Sequence, residues 1–280
     1  VNLDPLRLPS LLRDFGITPR KDLGQNFLVD DIYLRRIVQA AGFIGQEDAL
    51  EIGAGAGNLT RYLAQAARAV VAVEIDQALF PLLKKTTSSF NNVRLVAGDI
   101  LDQDIAALMR QPGYVVAANI PYYITSALIR FLLESPSKPS RIVLTIQHEV
   151  AQRVCALPGD LSLLALSVQL YGDPIIVLRI PAGAFYPPPN VDSAVLLVDL
   201  FPEPRIPRDQ IDDFFRLAKA AFSQKRKMLR NTLAFVPGLD KDSAFSMLEQ
   251  AQIDAKRRAQ SLTLEEWRAL VSVYQIMLKG

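Results

Sequence analysis

The chain has 280 residues, half of them hydrophobic and 21% charged, as in a folded protein with a sizeable core rather than a disordered one. One cysteine (Cys155) excludes an internal disulfide and a cysteine metal cage, and one histidine (His148) argues against a histidine triad or a histidine-rich metal site. No window reaches the ~18 consecutive apolar residues that span a bilayer, and the first residues lack a signal-like apolar run, so a cytoplasmic protein away from membranes is expected.

The opening segment, rich in Leu and Arg, leads into Lys21-Asp22-Leu23-Gly24-Gln25-Asn26-Phe27-Leu28. The spacing of Ile32, Leu34, Ile37, Val38 and Ala41 predicts a helix from about Asp30. Strand and helix patterns then alternate. Strands are expected at 49–52, 69–75, 93–97, 114–118 and 142–146, and helices at about 58–67, 77–88 and 126–134. Such alternation implies βαβ units and a largely parallel sheet covered on both faces. After Val150 the runs 161–171, 175–180 and 193–200 read as strands without clear helices between them, which fits an antiparallel sheet edge. Three prolines within 201–207 mark a linker, giving domains 1–204 and 205–280. Beyond it the pattern is helical. Thr263 and Glu266 are spaced as a capping box, with Leu262 and Trp267 placed as a hydrophobic staple.

Three strand ends carry residues suited to ligands. The loop Glu51-Ile52-Gly53-Ala54-Gly55-Ala56-Gly57 follows the first strand, and its alternate glycines, Gly53 and Gly55 foremost, permit close backbone approach. Glu74 ends the second strand, where an acid can accept both hydroxyls of a ribose. An acid at this distance is shared with NAD-binding folds. The Gly-x-Gly-x-Gly spacing, however, better suits a ligand without a pyrophosphate, such as S-adenosylmethionine (SAM). Asp99 follows the third strand, placed either to accept from the cofactor's adenine amine or to cap a turn.

Asn119-Ile120-Pro121-Tyr122 closes the fourth strand. The Asn119 side-chain oxygen and the Ile120 carbonyl can both accept from a flat exocyclic amine, Pro121 fixes the backbone that aims them, and Tyr122 can stack on the base. The same four residues also suit an ordinary turn after a strand.

Together these residues resemble the KsgA-type ribosomal RNA adenine dimethyltransferases. The resemblance spans nearly the whole chain. It also takes in Gln147-His148-Glu149-Val150-Ala151-Gln152-Arg153, Phe185-Tyr186-Pro187-Pro188-Pro189-Asn190-Val191-Asp192-Ser193 and Phe222-Ser223-Gln224-Lys225-Arg226-Lys227-Met228-Leu229-Arg230-Asn231. Three positions depart from the family pattern: Ala54 for the usual Pro, Leu163-Leu164 for Tyr-Gly, and Asn190 for the usual Lys. The resemblance implies an α/β, Rossmann-like SAM-dependent methyltransferase domain followed by a small all-α domain. It further implies dimethylation of two adjacent adenines near the 3′ end of small-subunit ribosomal RNA. On this basis Asn26 and Leu28, with Gln25 nearby, line the SAM pocket. Gly53 meets the methionine part, Glu74 the ribose and Asp99 the adenine, and Asn119 faces both cofactor and target. Phe185 would face Tyr122, sandwiching a flipped adenine. No metal is expected, and the protein is expected to act as a monomer on the assembling 30S subunit.

Net charge is only +2, but residues 207–280 hold 13 Lys and Arg against 9 Asp and Glu, whereas the other 206 hold 18 against 20. Lys219, Lys225, Arg226, Lys227 and Arg230 fall between Leu217 and Asn231 with no acid among them, which makes them candidates for RNA phosphate contact; Lys256, Arg257 and Arg258 extend the set.

Overall fold

The computed structural model describes residues 3–279, with nine strands among them. They are β1 (Phe27–Leu28), β2 (Asp48–Ile52), β3 (Ala69–Glu74), β4 (Val93–Ala97), β5 (Val115–Asn119), β6 (Arg141–Gln147), β7 (Gly172–Ile180), β8 (Phe185–Tyr186) and β9 (Ser193–Leu200). Seven form one sheet in the order β4-β3-β2-β5-β6-β9-β7, while β1 and β8 pair separately and antiparallel. The neighbours from β4 through β6 run parallel, and β6 meets β9 antiparallel over seven residue pairs.

The sequence explains this layout. β6 is a nearly continuous apolar run, buried from Ile142 to Ile146, as helices on both faces require. β7, at the sheet edge, instead alternates in burial and leaves Ile175 and Val177 exposed. From β2 the chain winds outward to β3 and β4, then returns to β5 on the other side of β2. The crevice for a ligand therefore lies at the carboxyl ends of β2 and β5, the switch point of the winding.

Two compact units divide the described residues. One holds the chain up to Ala151 together with Asp173–Leu200, and the other holds Gln152–Gly172 together with the chain from Phe201 onward. Residues 152–172, assigned from sequence to the first domain, thus pack with the second unit. The expected strand over 161–171 is a helix, Leu163–Gln169, because the Ser162 hydroxyl accepts from the Ala165 N–H at 3.1 Å and caps it. Periodicity cannot separate a short buried helix from a buried strand in so apolar a run.

In the first unit, the helix Asp31–Ala41 is capped by Asp30 and ends at Gly42, whose φ of 67° is left-handed. It buries Leu34, Ile37 and Ala41. Ile32, expected on the same face, is 65% exposed, because a position two residues before Leu34 lies about 200° around the helix.

The second unit is helical around Trp267. Its ring meets Phe214 edge-on at 6.0 Å and stacks on Phe222 at 6.2 Å. The capping box forms as expected, with Thr263 N–H donating to Glu266 Oε2 at 2.8 Å and Glu266 N–H to Thr263 Oγ1 at 3.2 Å. Leu262 and Trp267 are both buried.

Candidate active site

A cleft opens at the switch point, lined from four consecutive strand ends and from the Leu23–Phe27 segment.

The glycine loop turns back over β3. The N–H groups of Gly53 and Ala54 both donate to the Val73 carbonyl, at 2.9 and 3.1 Å, with Gly53 at φ 74°. A Cβ on Gly55 would lie 3.0 Å from the Phe27 ring, so glycine there lets this aromatic close against the loop. Glu74 ties the loop to the next strand end. Its Oε2 accepts from Gly55 N–H at 2.7 Å and its Oε1 from Asp76 N–H at 2.8 Å. Burial raises the pKa of this carboxyl, and the Asp76 and Gly55 N–H bonds oppose that rise. Each oxygen keeps a lone pair for a further donor. Asp99 uses Oδ1 to cap the turn at Leu101, 2.9 Å away, and also lines the cleft. The turn-capping reading of Asp99 is thus met, and the residue also borders the cleft.

Gln25 and Asn26 enter from the opposite wall. Gln25 donates from Nε2 to Asp76 Oδ2 at 2.7 Å and accepts from Arg20 N–H at 2.8 Å. The Asn26 carbonyl receives Asn119 Nδ2 at 3.0 Å, joining residues 93 positions apart. That bond orients the Asn119 amide: the NH2 faces Asn26, which leaves Oδ1 as an acceptor. Ile120, Pro121 and Tyr122 all line the cleft, and Pro121 holds φ at −59°. Tyr122 is partly buried, and its hydroxyl lies 2.7 Å from Ser193 Oγ.

Two expected residues sit elsewhere. Leu28 is 2% and Phe185 4% exposed. They are partners in the β1–β8 register, and both belong to the hydrophobic core cluster rather than to the cleft wall. The aromatic that reaches the cleft beside Leu28 is Phe27. Sequence reasoning missed Phe27, as it missed Ile75 and Ile100, apolar walls that each directly follow a strand-end acid. That position supplied the available signal: an isoleucine beside an acid on the cleft wall. Ser193 also went unnoticed as a partner of Tyr122.

Lys219, Lys225, Arg226, Lys227 and Arg230 are all exposed, and none forms an ion pair among the described residues. They do not share one helix. Lys219 lies in the helix Ile211–Phe222, residues 224–227 form a turn, and Arg230 lies within the next short helix, Leu229–Thr232. Arg257 is different: it forms a bidentate pair with Glu266, the capping-box acid, and so braces the fold.

The ribosomal RNA adenine dimethylase family model matches residues 16–270. The chain belongs to this family. It is a ribosomal RNA adenine dimethyltransferase with the Rossmann-like methyltransferase fold. Ribosomal RNA small subunit methyltransferase A of Moorella thermoacetica is 41% identical over 282 residues, covering 97% of this chain and 98% of the relative. The protein of the same name from Dehalococcoides mccartyi (strain ATCC BAA-2266 / KCTC 15142 / 195) is 41% identical over 266 residues, covering 94% and 91%. Among solved structures, a dimethyladenosine transferase from Plasmodium falciparum has a TM-score of 0.78 at 26% identity, covering 89% of this chain and 98% of that one. The 23S rRNA methyltransferase ErmE has a TM-score of 0.72, also at 26% identity, covering 89% and 100%.

Proposed function

We propose that this protein dimethylates N6 of two adjacent adenines near the 3′ end of small-subunit ribosomal RNA, with SAM as methyl donor. The observation that carries this reading is Asn119, fixed through Nδ2 to Asn26 and left with Oδ1 as acceptor, on the wall shared with Gly53, Glu74 and Asp99. The residues fit SAM by their chemistry. The free lone pairs of Glu74 can take the ribose hydroxyls and the remaining acceptor capacity of Asp99 the adenine amine, while Ile75 and Ile100 provide apolar walls. When bound, SAM supplies a methyl already activated by its sulfonium.

The protein's own contribution is positioning. Asn119 Oδ1 and the Ile120 carbonyl accept the target amine's N–H groups, so that the nitrogen lone pair faces the donor. Pro121 keeps these acceptors aimed, and Tyr122 offers a face for the flipped base. The proton released on transfer passes to water, so no general base is needed. After the first methyl the amine keeps one N–H, and one of the two acceptors then suffices. The partner that fits this chemistry is the assembling 30S subunit, met by a monomer in the cytoplasm, with the exposed cations of residues 219–230 contacting phosphates. A sandwich by Phe185 would require its buried ring to be uncovered.

The deciding experiment is transfer of labelled methyl from SAM to undermethylated small subunits and to large subunits, followed by nucleoside analysis. Dimethyladenosine in the small subunit at two adjacent positions is the expected result. Label confined to large subunits, or monomethyladenosine alone, would overturn the reading.

A further inference from the structure

Ser193 opens β9 directly opposite Gln147 of β6 and is fully buried. A buried hydroxyl requires a partner, and the Ser193 Oγ finds one in the Tyr122 hydroxyl at 2.7 Å. The two ends of this bond differ in rigidity. Ser193 is the first of eight strand residues, seven of them in register with β6. Tyr122 begins a three-residue turn just beyond β5, with its ring on the cleft wall.

The outer ring torsion of tyrosine is broad, so packing on one side leaves the plane of a half-buried ring loosely defined. A hydrogen bond at the far end of the ring defines it. The same bond occupies a hydroxyl that could otherwise compete for the polar edge of a base, so the ring presents its face. Burial raises the pKa of Tyr122, which keeps the phenol neutral and able to donate.

We propose that Ser193 is a positioning residue for methyl transfer, holding the Tyr122 ring in the plane that receives the target adenine. This inference rests on the reading of Tyr122 as the stacking face. β9 thereby acts at the reaction centre although none of its residues lines the cleft.

The test uses the full-length enzyme, undermethylated small subunits and saturating SAM, with the variants Ser193→Ala, Tyr122→Phe, their combination, and Tyr122→Ala. Ser193→Cys keeps the side-chain shape in a slightly larger volume but bonds weakly, and so, unlike Ser193→Ala, removes the hydrogen bond without leaving a void. Ser193→Ala, Ser193→Cys and Tyr122→Phe are each expected to lower kcat about three- to tenfold, the equivalent of one hydrogen bond, with SAM affinity unchanged. The double variant should be no worse than the poorer single one, since both remove the same bond. Losses that multiply, losses matched by weaker SAM binding, or full turnover in both serine variants beside an inactive Tyr122→Ala would overturn the inference alone. Full turnover in Tyr122→Ala would overturn the stacking reading and this inference with it.

Discussion

Asn119 is held at one end and, in the proposed reaction, works at the other. Its Nδ2 bond to the Asn26 carbonyl fixes the amide and leaves Oδ1 as the acceptor. Replacing Asn119 by Ala removes an acceptor aimed at the reacting nitrogen, and such preorganised contacts are commonly worth about 10²- to 10³-fold in kcat. The expected outcome is a loss of that order in single-turnover methyl transfer, with SAM affinity changed by less than about tenfold, since Glu74 and Asp99 remain. Near-normal turnover would remove Asn119 from the reaction centre. The tetrapeptide alone suits an ordinary turn as well as an amine clamp, and it was the glycine loop, Glu74 and Asp99 at the neighbouring strand ends that made this residue legible. The burial of Phe185 was not legible in the same way. In the two-residue pairing of β1 with β8, a single register decides which aromatic turns inward, and spacing alone does not carry that register.

At the level of elements, β2 and β3 carry two acids of different kinds. Glu74 stays within reach of the cleft, whereas Glu51 is 1% exposed and lies outside it. Burial pushes the Glu51 carboxyl from 4.5 up to about 8, Thr60 moderates the shift, and the charge of Glu74 adds to it. The folded protein therefore holds a proton that the unfolded chain releases above about pH 4.5. The resulting stability is fully present below that pH and is lost as pH rises towards 8, at up to about 1.4 kcal/mol per pH unit for one such proton. Glu51→Gln, neutral at every pH, should flatten thermal stability between pH 5 and 8; the shallower slope that remains would come from Glu74, which shifts in the same direction. An unchanged slope in the variant would show that Glu51 is not the group responsible. The strands β2, β3 and β5 were readable from sequence because each is a largely apolar run closed by Gly53, Glu74 or Asn119. The helix Leu163–Gln169 was not, since its cap, Ser162, is one polar residue in a run that otherwise suits either structure.

For the molecule as a whole, net charge conceals an uneven distribution. The excess of cations lies in residues 207–280, and the structure sorts them by what they touch. Arg257 is committed to Glu266, whereas Arg226 and Arg230 are exposed without an ion pair among the described residues. Sequence could count these charges but could not separate them, because the pairing of Arg257 depends on a helix that starts seven residues later. The distinction predicts opposite consequences. A phosphate contact appears in the salt dependence of RNA binding, at about 0.7 to 0.9 per charge in the slope of log K against log salt. Arg226→Ala combined with Arg230→Ala should therefore flatten that slope by about 1.4 to 1.8, with thermal stability and SAM affinity unchanged. Arg257→Ala should leave the slope intact and lower the unfolding temperature, because it strips the partner from a partly buried carboxylate that also closes a helix cap. Binding isotherms at four or more salt concentrations, beside thermal melts of the same variants, measure both effects. Equal slopes in the double variant and the parent protein would mean that the 219–230 cations face solvent in the complex, and that the RNA is held by another surface.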